Sequence, residues 1–458
     1  MISWIRGTTS AAALACICAP GLAGAESFAD ALVNAYRTSP ELAAERANVR
    51  VAGENAYQAR ALGRVNVDGS IDLSFQTTDD DNFNLPVALN LDVVQPIYTG
   101  GRVANATNAA ERRITESEAF LEEQEQQVLF SAAVAYLNVQ AEKALVSSAR
   151  NNVRVLTEQL EAAQERFEVG EVTRTDVEQA RARRAASESA LAAAIGAFEN
   201  ARDDYRRTVG RDAGDLDPPP PIPDLPGSEE EAVLIGLQND PVLLAARLER
   251  EAAGFDVRSE IADLLPQVSL VGRLSQTNTL DDGIEGFRGA SVGVNISIPF
   301  YSGGANYSDV REAQALVDNA EADIGTQLRE VREAVGEAWS NLRVAKAQIQ
   351  AGRLEVRAAQ LAFEGVQEEA KVGARTTLDV LDAEQEVLDA RDGLIDAQRD
   401  ELISAYQLLE AMGLMTVDHL GLEVGLDDGT SAYYDSVRNR NFGYDQTDDT
   451  VWTLGYRP

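Results

Sequence analysis

The chain has 458 residues with 40 Lys and Arg against 75 Asp and Glu, a formal net charge of −35, which excludes nucleic acid as a partner because phosphate binding needs a basic face. One His and two Cys, Cys16 and Cys18, leave zinc, haem and Cys/His nucleophile chemistry without ligands, so no metal, no cofactor and no enzyme activity is expected. Few prolines, an aromatic content of 6% and long tracts of Ala, Glu, Gln, Arg, Leu and Val point to long packed helices.

Residues 1–25 read as an export signal. Arg6 supplies the charge, Ala11 to Ala19 the apolar core and Ala23-Gly24-Ala25 the small-residue cleavage site. A lipid anchor on Cys16 or Cys18 is the alternative, disfavoured because the apolar run before Cys16 is short. No later segment is long and apolar enough for a membrane helix, so a membrane crossing would use strands.

An internal repeat organises the remainder. Gln95-Pro96-Ile97-Tyr98-Thr99-Gly100-Gly101 recurs as Ile298-Pro299-Phe300-Tyr301-Ser302-Gly303-Gly304, an offset of 203 that also carries Val169-Gly170 onto Val372-Gly373 and Asp176 onto Asp379. Ser39-Pro40-Glu41-Leu42 recurs as Asp240-Pro241-Val242-Leu243 at an offset of 201. The expected division is a first repeat over 26–216, a stiff proline-rich linker over 217–228, a second repeat over 229–414, and a tail over 415–458 that forms a collar or a mobile end.

Each copy reads as short helix, longer helix, strand, strand, very long helix, long helix. No proline lies between Ile97 and Asp217 or between Phe300 and Arg457, so helices run there without a break. Val103 to about Val169 is roughly 100 Å of helix at 1.5 Å per residue. Val139, Val146, Val153, Leu160 and Phe167 recur every seven residues, as do Leu342, Ile349, Val356, Phe363 and Ala370, which predicts coiled-coil-like seams. Gly170 and Gly373 suit the left-handed residue that ends a helix, and Thr173 with Asp176, like Thr376 with Asp379, has the spacing of a capping box that opens the next. The helix from Glu41 to about Leu62 and the descending arm from Thr173 to about Val209 together nearly match the long helix in length, which suggests two antiparallel columns per repeat.

The strands alternate. Val65, Val67, Gly69, Ile71, Leu73 and Phe75 share one face against Asn66, Asp68, Ser70, Asp72 and Ser74. Val87 to Val93, Val268 to Leu274 and Val292 to Ile298 behave likewise, and Gln76 to Asn84 reads as a polar, acidic loop. Such runs fit tilted strands that cross a bilayer, apolar outward and polar toward a lumen. A soluble sheet over a core would alternate in the same way. Four strands cannot close a membrane barrel alone, so several chains must share one, and an open conduit favours three or more. The fold class is mainly α with a small β part, built on duplicated long helical hairpins. A periplasmic coiled-coil scaffold without a pore is the alternative function; an enzyme has no convergent catalytic set.

These residues resemble the TolC-type outer-membrane efflux proteins, through the duplicated Pro-x-Tyr/Phe-x-x-Gly-Gly strand ends, the Val-Gly hairpin tips and the tract Val372 to Asp382. The resemblance implies a homotrimer with a twelve-stranded β-barrel among outer-membrane lipid and an α-barrel tunnel across the periplasm. It also implies work with a periplasmic adaptor and an inner-membrane pump or ABC exporter, in efflux of small molecules or type I secretion of proteins. By it, Asp379 and Asp382 match the carboxylates that ring the tunnel entrance, although Asp379 serves equally as the acid of its capping box. Arg375 matches an arginine that latches the entrance, with Thr175 and Asp176 as its partners, while the tyrosine expected beside them is Ala370. Val169, Gly170 and Glu171, with Val372, Gly373 and Ala374, match the tips that meet the adaptor; as sequence they are also simply hairpin caps. His419 stands alone and reads as a surface or packing residue.

Overall fold

In a computed structural model, residues 26–77, 83–84, 86–279, 287–424 and 433 are described. The export signal at 1–25 and most of the tail beyond Val424 lie outside them. The first repeat begins with α1 (Phe28–Thr38) and α2 (Pro40–Ala61). Ser27 and Asp30 form a capping box at the start of α1, and Ser39 caps α2, whose first residue is a proline that has no N–H to leave unpaired. Strand β1 (Asn66–Leu73) follows, then the two-residue strands β2 (Gln76–Thr77) and β3 (Phe83–Asn84), and β4 (Pro86–Tyr98). The stretch read as a plain loop thus carries a short ladder, in which β2 pairs antiparallel with β3. Helices α3 (Arg102–Glu168) and α4 (Arg174–Val209) complete the repeat.

The second repeat retraces this with α5 (Glu229–Asn239), α6 (Pro241–Ala262), β5 (Gln267–Thr279), β6 (Phe287–Ser297), α7 (Ala305–Lys371) and α8 (Thr377–Ala411). Helices α3 and α7 are each 67 residues long. Against α3, α2 packs toward the strand end and α4 toward the opposite end, with α6 and α8 in the same places against α7. Ala52, Ala56 and Ile114 form a small core at the α2–α3 contact, and Leu156, Leu160 and Ala163 meet Val177 and Ala180 between α3 and α4. The two columns per repeat are therefore built as their lengths suggest.

The main core lies at mid-height, where α1 and α5 lie over the long helices. Leu32, Leu129, Tyr136, Tyr205, Leu408, Leu409, Met412 and Met415 are almost wholly buried there. Phe28 meets Tyr136 edge-on with ring centroids 5.3 Å apart. The linker is fastened to this level: the Tyr136 hydroxyl donates to the Asp217 carbonyl at 2.8 Å, and Glu26 pairs in parallel with Leu216. The heptad seams follow the same gradient. Val139, Val146, Leu342 and Ile349 are buried, Val153, Val356, Phe363 and Ala370 half-buried and Phe167 is 44% exposed, while Leu160 departs from the trend and stays buried at 5%. Toward the tips the α1 and α5 helices no longer cover the hairpins, and the seam is kept closed there by Leu156, Leu160, Val177 and Leu381.

The four long strands form one antiparallel sheet in the order β1-β4-β5-β6, and among the described residues the outer edges of β1 and β6 are unpaired. The two repeats join through β4 and β5, with Asp92 opposite Arg273 and the pair bonded at 2.5 Å. Register keeps face parity: Asp68, Asp92, Arg273 and Ser291 lie in one row, and Leu91, Leu274 and Ala290 lie in an adjacent row on the other face. On that apolar face Ile71, Leu274, Val292, Val294 and Ile296 are more than half exposed, because no element among the described residues covers it. No helix among the described residues is long and apolar enough to cross a membrane.

Candidate functional site

At the end of the molecule remote from the sheet, both helical hairpins turn in the same way. The Gly170 N–H donates to the Phe167 carbonyl at 3.0 Å and the Glu171 N–H reaches the Arg166 carbonyl at 2.8 Å. Gly373 and Ala374 repeat this with Ala370 and Glu369, at 3.1 and 2.9 Å. Both glycines sit at positive φ, 80° and 77°, a region that costs a side-chain-bearing residue about 1–2 kcal/mol. The tip valines are left in solvent, Val169 72% and Val372 80% exposed.

The helices that leave the tips open as the spacing predicts. Thr173 N–H donates to Asp176 Oδ2 at 2.8 Å and Thr376 N–H to Asp379 Oδ2 at 2.9 Å, each threonine hydroxyl completing its box. The Thr376 backbone and side-chain bonds hold the Asp379 carboxyl below the usual carboxylate range. Asp379 is therefore the acid of a cap in the structure, and this employment leaves it charged at neutral pH. Farther up the same helix Glu384 is pushed up to about 7 by burial and by the Glu158 charge.

Arg375 and Asp176 line one cleft of about 560 Å³ between the two tips, together with Arg166, Ala370 and Thr376. They are not bonded to each other within the chain. Arg375 Nε donates to Glu369 Oε2 at 2.8 Å, across its own turn, and Asp176 is occupied by Thr173. The Glu369 carboxylate raises the Arg375 guanidinium above its ordinary range. Thr175 lies on the first turn of α4 beside them.

Two contacts here were not found from the sequence. Arg183 Nη2 meets Asp382 Oδ1 at 2.5 Å, joining α4 of the first hairpin to α8 of the second. Ser148 Oγ donates to Asp392 at 2.6 Å, joining α3 to α8 nearer mid-height. Arg183 stands seven residues after Asp176, on the same face of α4; that spacing was the available signal. Beside this contact Leu381 is 2% exposed in the cluster with Val177 and Ala180. His419 is exposed, and its N–H donates to the Thr416 hydroxyl.

Residues 31–211 and 236–414 match the family model described as outer membrane efflux protein. The chain is 34% identical over 419 residues to outer membrane efflux protein BepC of Brucella suis biovar 1, covering 91% of this chain and 92% of that one. It is 26% identical over 430 residues to outer membrane protein TolC of Escherichia coli K12, covering 87% and 84%. The solved structure of the outer membrane protein VceC from Vibrio cholerae superimposes with a TM-score of 0.72 at 21% identity, covering 84% of this chain and 96% of that one; at that identity the likeness speaks for the fold. A pore-less periplasmic scaffold is set aside by this kinship. The duplicated hairpins, the half-apolar sheet and these matches together make the chain a member of the outer membrane efflux protein family, an outer-membrane exit channel for efflux or secretion with its helical tunnel in the periplasm.

Proposed function

We propose that three copies of the chain close one twelve-stranded barrel and one tunnel, and that the helical tips form its periplasmic entrance. The observation that carries this is the four-stranded sheet with two unpaired edges and one exposed apolar face. An open edge in lipid leaves backbone groups without partners, and closed membrane barrels have eight strands or more. Three chains supply twelve, enough for an open lumen lined by Asp68, Asn90, Asp92, Arg273 and Ser275. Phe300 and Tyr301, 90% and 91% exposed where β6 gives way to α7, fit the aromatic belt at the membrane surface.

At the other end, threefold symmetry brings the tips around one axis. Asp379 then contributes a ring of carboxylates, with Asp382 behind it on α8. Arg375, freed from Glu369, has Thr175 and Asp176 of an adjoining hairpin as its latch partners. The exposed valines, with Gly170, Glu171, Gly373 and Ala374 around them, form the docking surface for a periplasmic adaptor, which links the tunnel to an inner-membrane pump or ABC exporter. Apolar side chains held at a solvent-exposed apex support a protein contact there.

In planar bilayers the native protein should conduct, favour cations, and be blocked by a trivalent cation such as lanthanum added on the side of the tips, because converging carboxylates concentrate counter-ions. Asp379→Asn should raise the half-blocking concentration by about tenfold, the effect of removing three like charges from one confined ring. Equal block in the two proteins would put Asp379 away from the conduction path.

A further inference from the structure

We propose that Arg183 is the built-in counter-ion of the entrance: it holds Asp382 against α4, so that in the resting tunnel the entrance charge comes from Asp379, and Asp382 joins it only when α8 moves away from α4. This deepens the reading of the tips as a pore entrance and rests on it.

The geometry carries the assignment from three sides. Asp382 Oδ1 is 2.5 Å from Arg183 Nη2, and the two residues belong to different hairpins. Beside Asp382, Leu381 lies on a neighbouring face of α8 that is packed down, 2% exposed among Leu156, Leu160, Val177 and Ala180. That face turns from α4 only by uncovering the cluster. Higher on the same helix the bond of Asp392 to Ser148, at 2.6 Å, fastens α8 to α3, so α8 is held to the first hairpin at two heights. Asp379 has a different environment. Its carboxylate is tied to Thr376 at the start of its own helix, and the cation next to it in the fold, Arg375, is engaged by Glu369.

Asp379 and Asp382 are thus unequal, although their spacing alone makes them look like two members of one ring. The Arg183–Asp382 pair is half exposed, with side chains 42% and 52% accessible; such pairs add little to fold stability. Its consequence is electrostatic. Cancelling three of six carboxylates around one entrance changes the affinity for multivalent cations far more than it changes folding. Outward movement of α8 then raises the negative charge of the entrance as it widens it.

The test is lanthanum block of the full-length trimer in planar bilayers, added on the side of the tips. Arg183→Gln, which leaves Asp382 unbalanced, should lower the half-blocking concentration by about fivefold, whereas Asp382→Asn in the native background leaves Arg183 unbalanced and should raise it by about as much. In the Arg183→Gln background, Asp382→Asn should return the block to the native value. The exchange Arg183→Asp with Asp382→Arg should also keep native block, which guards against misfolding as the cause. Two results overturn the proposal on its own: block that ignores Arg183→Gln, or an Arg183→Gln and Asp382→Asn double variant whose block is weaker than native by as much as that of Asp379→Asn. A native channel with no block at all, and no response to Asp379→Asn, overturns the entrance reading and the masking with it.

Discussion

Replacing Leu274 by arginine should keep the protein from accumulating in the outer membrane, while arginine at the next residue, Ser275, should be tolerated. Leu274 lies near the middle of β5 on the apolar face, opposite Leu91 and Ala290 and 54% exposed. In the proposed barrel that face meets lipid, where an arginine near the midplane costs roughly 2–4 kcal/mol, and the substitution recurs in every chain of the particle. Ser275 lies opposite Asn90 and Gly289 on the polar face, where the guanidinium reaches water and the acidic wall formed by Asp68, Asp72 and Asp92. Immunoblots of separated membrane fractions measure both variants. Equal accumulation, or a worse outcome for Ser275→Arg, would reverse the assignment of the two faces.

The second large effect is expected where the hairpins end in the core. Gly413 follows α8 at φ 71°, and a Cβ there would lie 2.5 Å from the Asn239 carbonyl oxygen and 2.7 Å from its carbon, at the end of α5. Gly210 holds the equivalent place after α4 at φ 81°, but its Cβ would meet the Thr38 hydroxyl at 2.5 Å. Alanine at either position incurs about 1–2 kcal/mol of left-handed strain. Overlap with fixed backbone adds about 1–3 kcal/mol at Gly413, next to Met412 and Met415, both fully buried. The Thr38 side chain has a rotamer to give up instead. Thermal unfolding should therefore fall clearly further for Gly413→Ala than for Gly210→Ala. Equal losses would mean that the α5 carbonyl yields as easily as a side chain.

Much of the architecture is readable before any coordinates because it rests on local rules. The absence of proline after Ile97 and Phe300, the Val-Gly tips and the threonine-aspartate boxes bound the long helices within a residue or two of where α3, α4, α7 and α8 begin and end. Alternation in Val65 to Phe75 and its counterparts sorts the faces of the sheet, since a strand has a period of two. Other features depend on how one helix is rotated against another, which no local pattern records. The i, i+3 spacing of Asp379 and Asp382 places both on one side of α8, but the packing of Leu381 decides that Asp382 faces α4 and Arg183. Arg375 is drawn to Glu369 by the tightness of its own turn, so the proposed bond to a neighbouring hairpin has to displace one that already exists. The packing of Gly210 on Thr38 and of Gly413 on Asn239 repeats at nearly the same offset as the strand ends. A lone glycine after a helix gives too little signal to reveal what it touches.

In the proposed entrance Asp379 serves two levels. Its bonds to Thr376 open α8 and hold its carboxyl in the charged form, and a charged, positioned carboxylate is what an entrance ring requires. Under that proposal capping and pore lining are parts of one arrangement.

The claim on which the account turns is that the unpaired edges of β1 and β6 are closed by other copies of the same chain. The mass of the particle purified in detergent, measured by light scattering with the detergent contribution subtracted, tests it most directly. The account predicts three chains per particle, with the strand signal in circular dichroism retained. A stable monomer with the same strand signal would contradict it, because the four strands would then close without a neighbour.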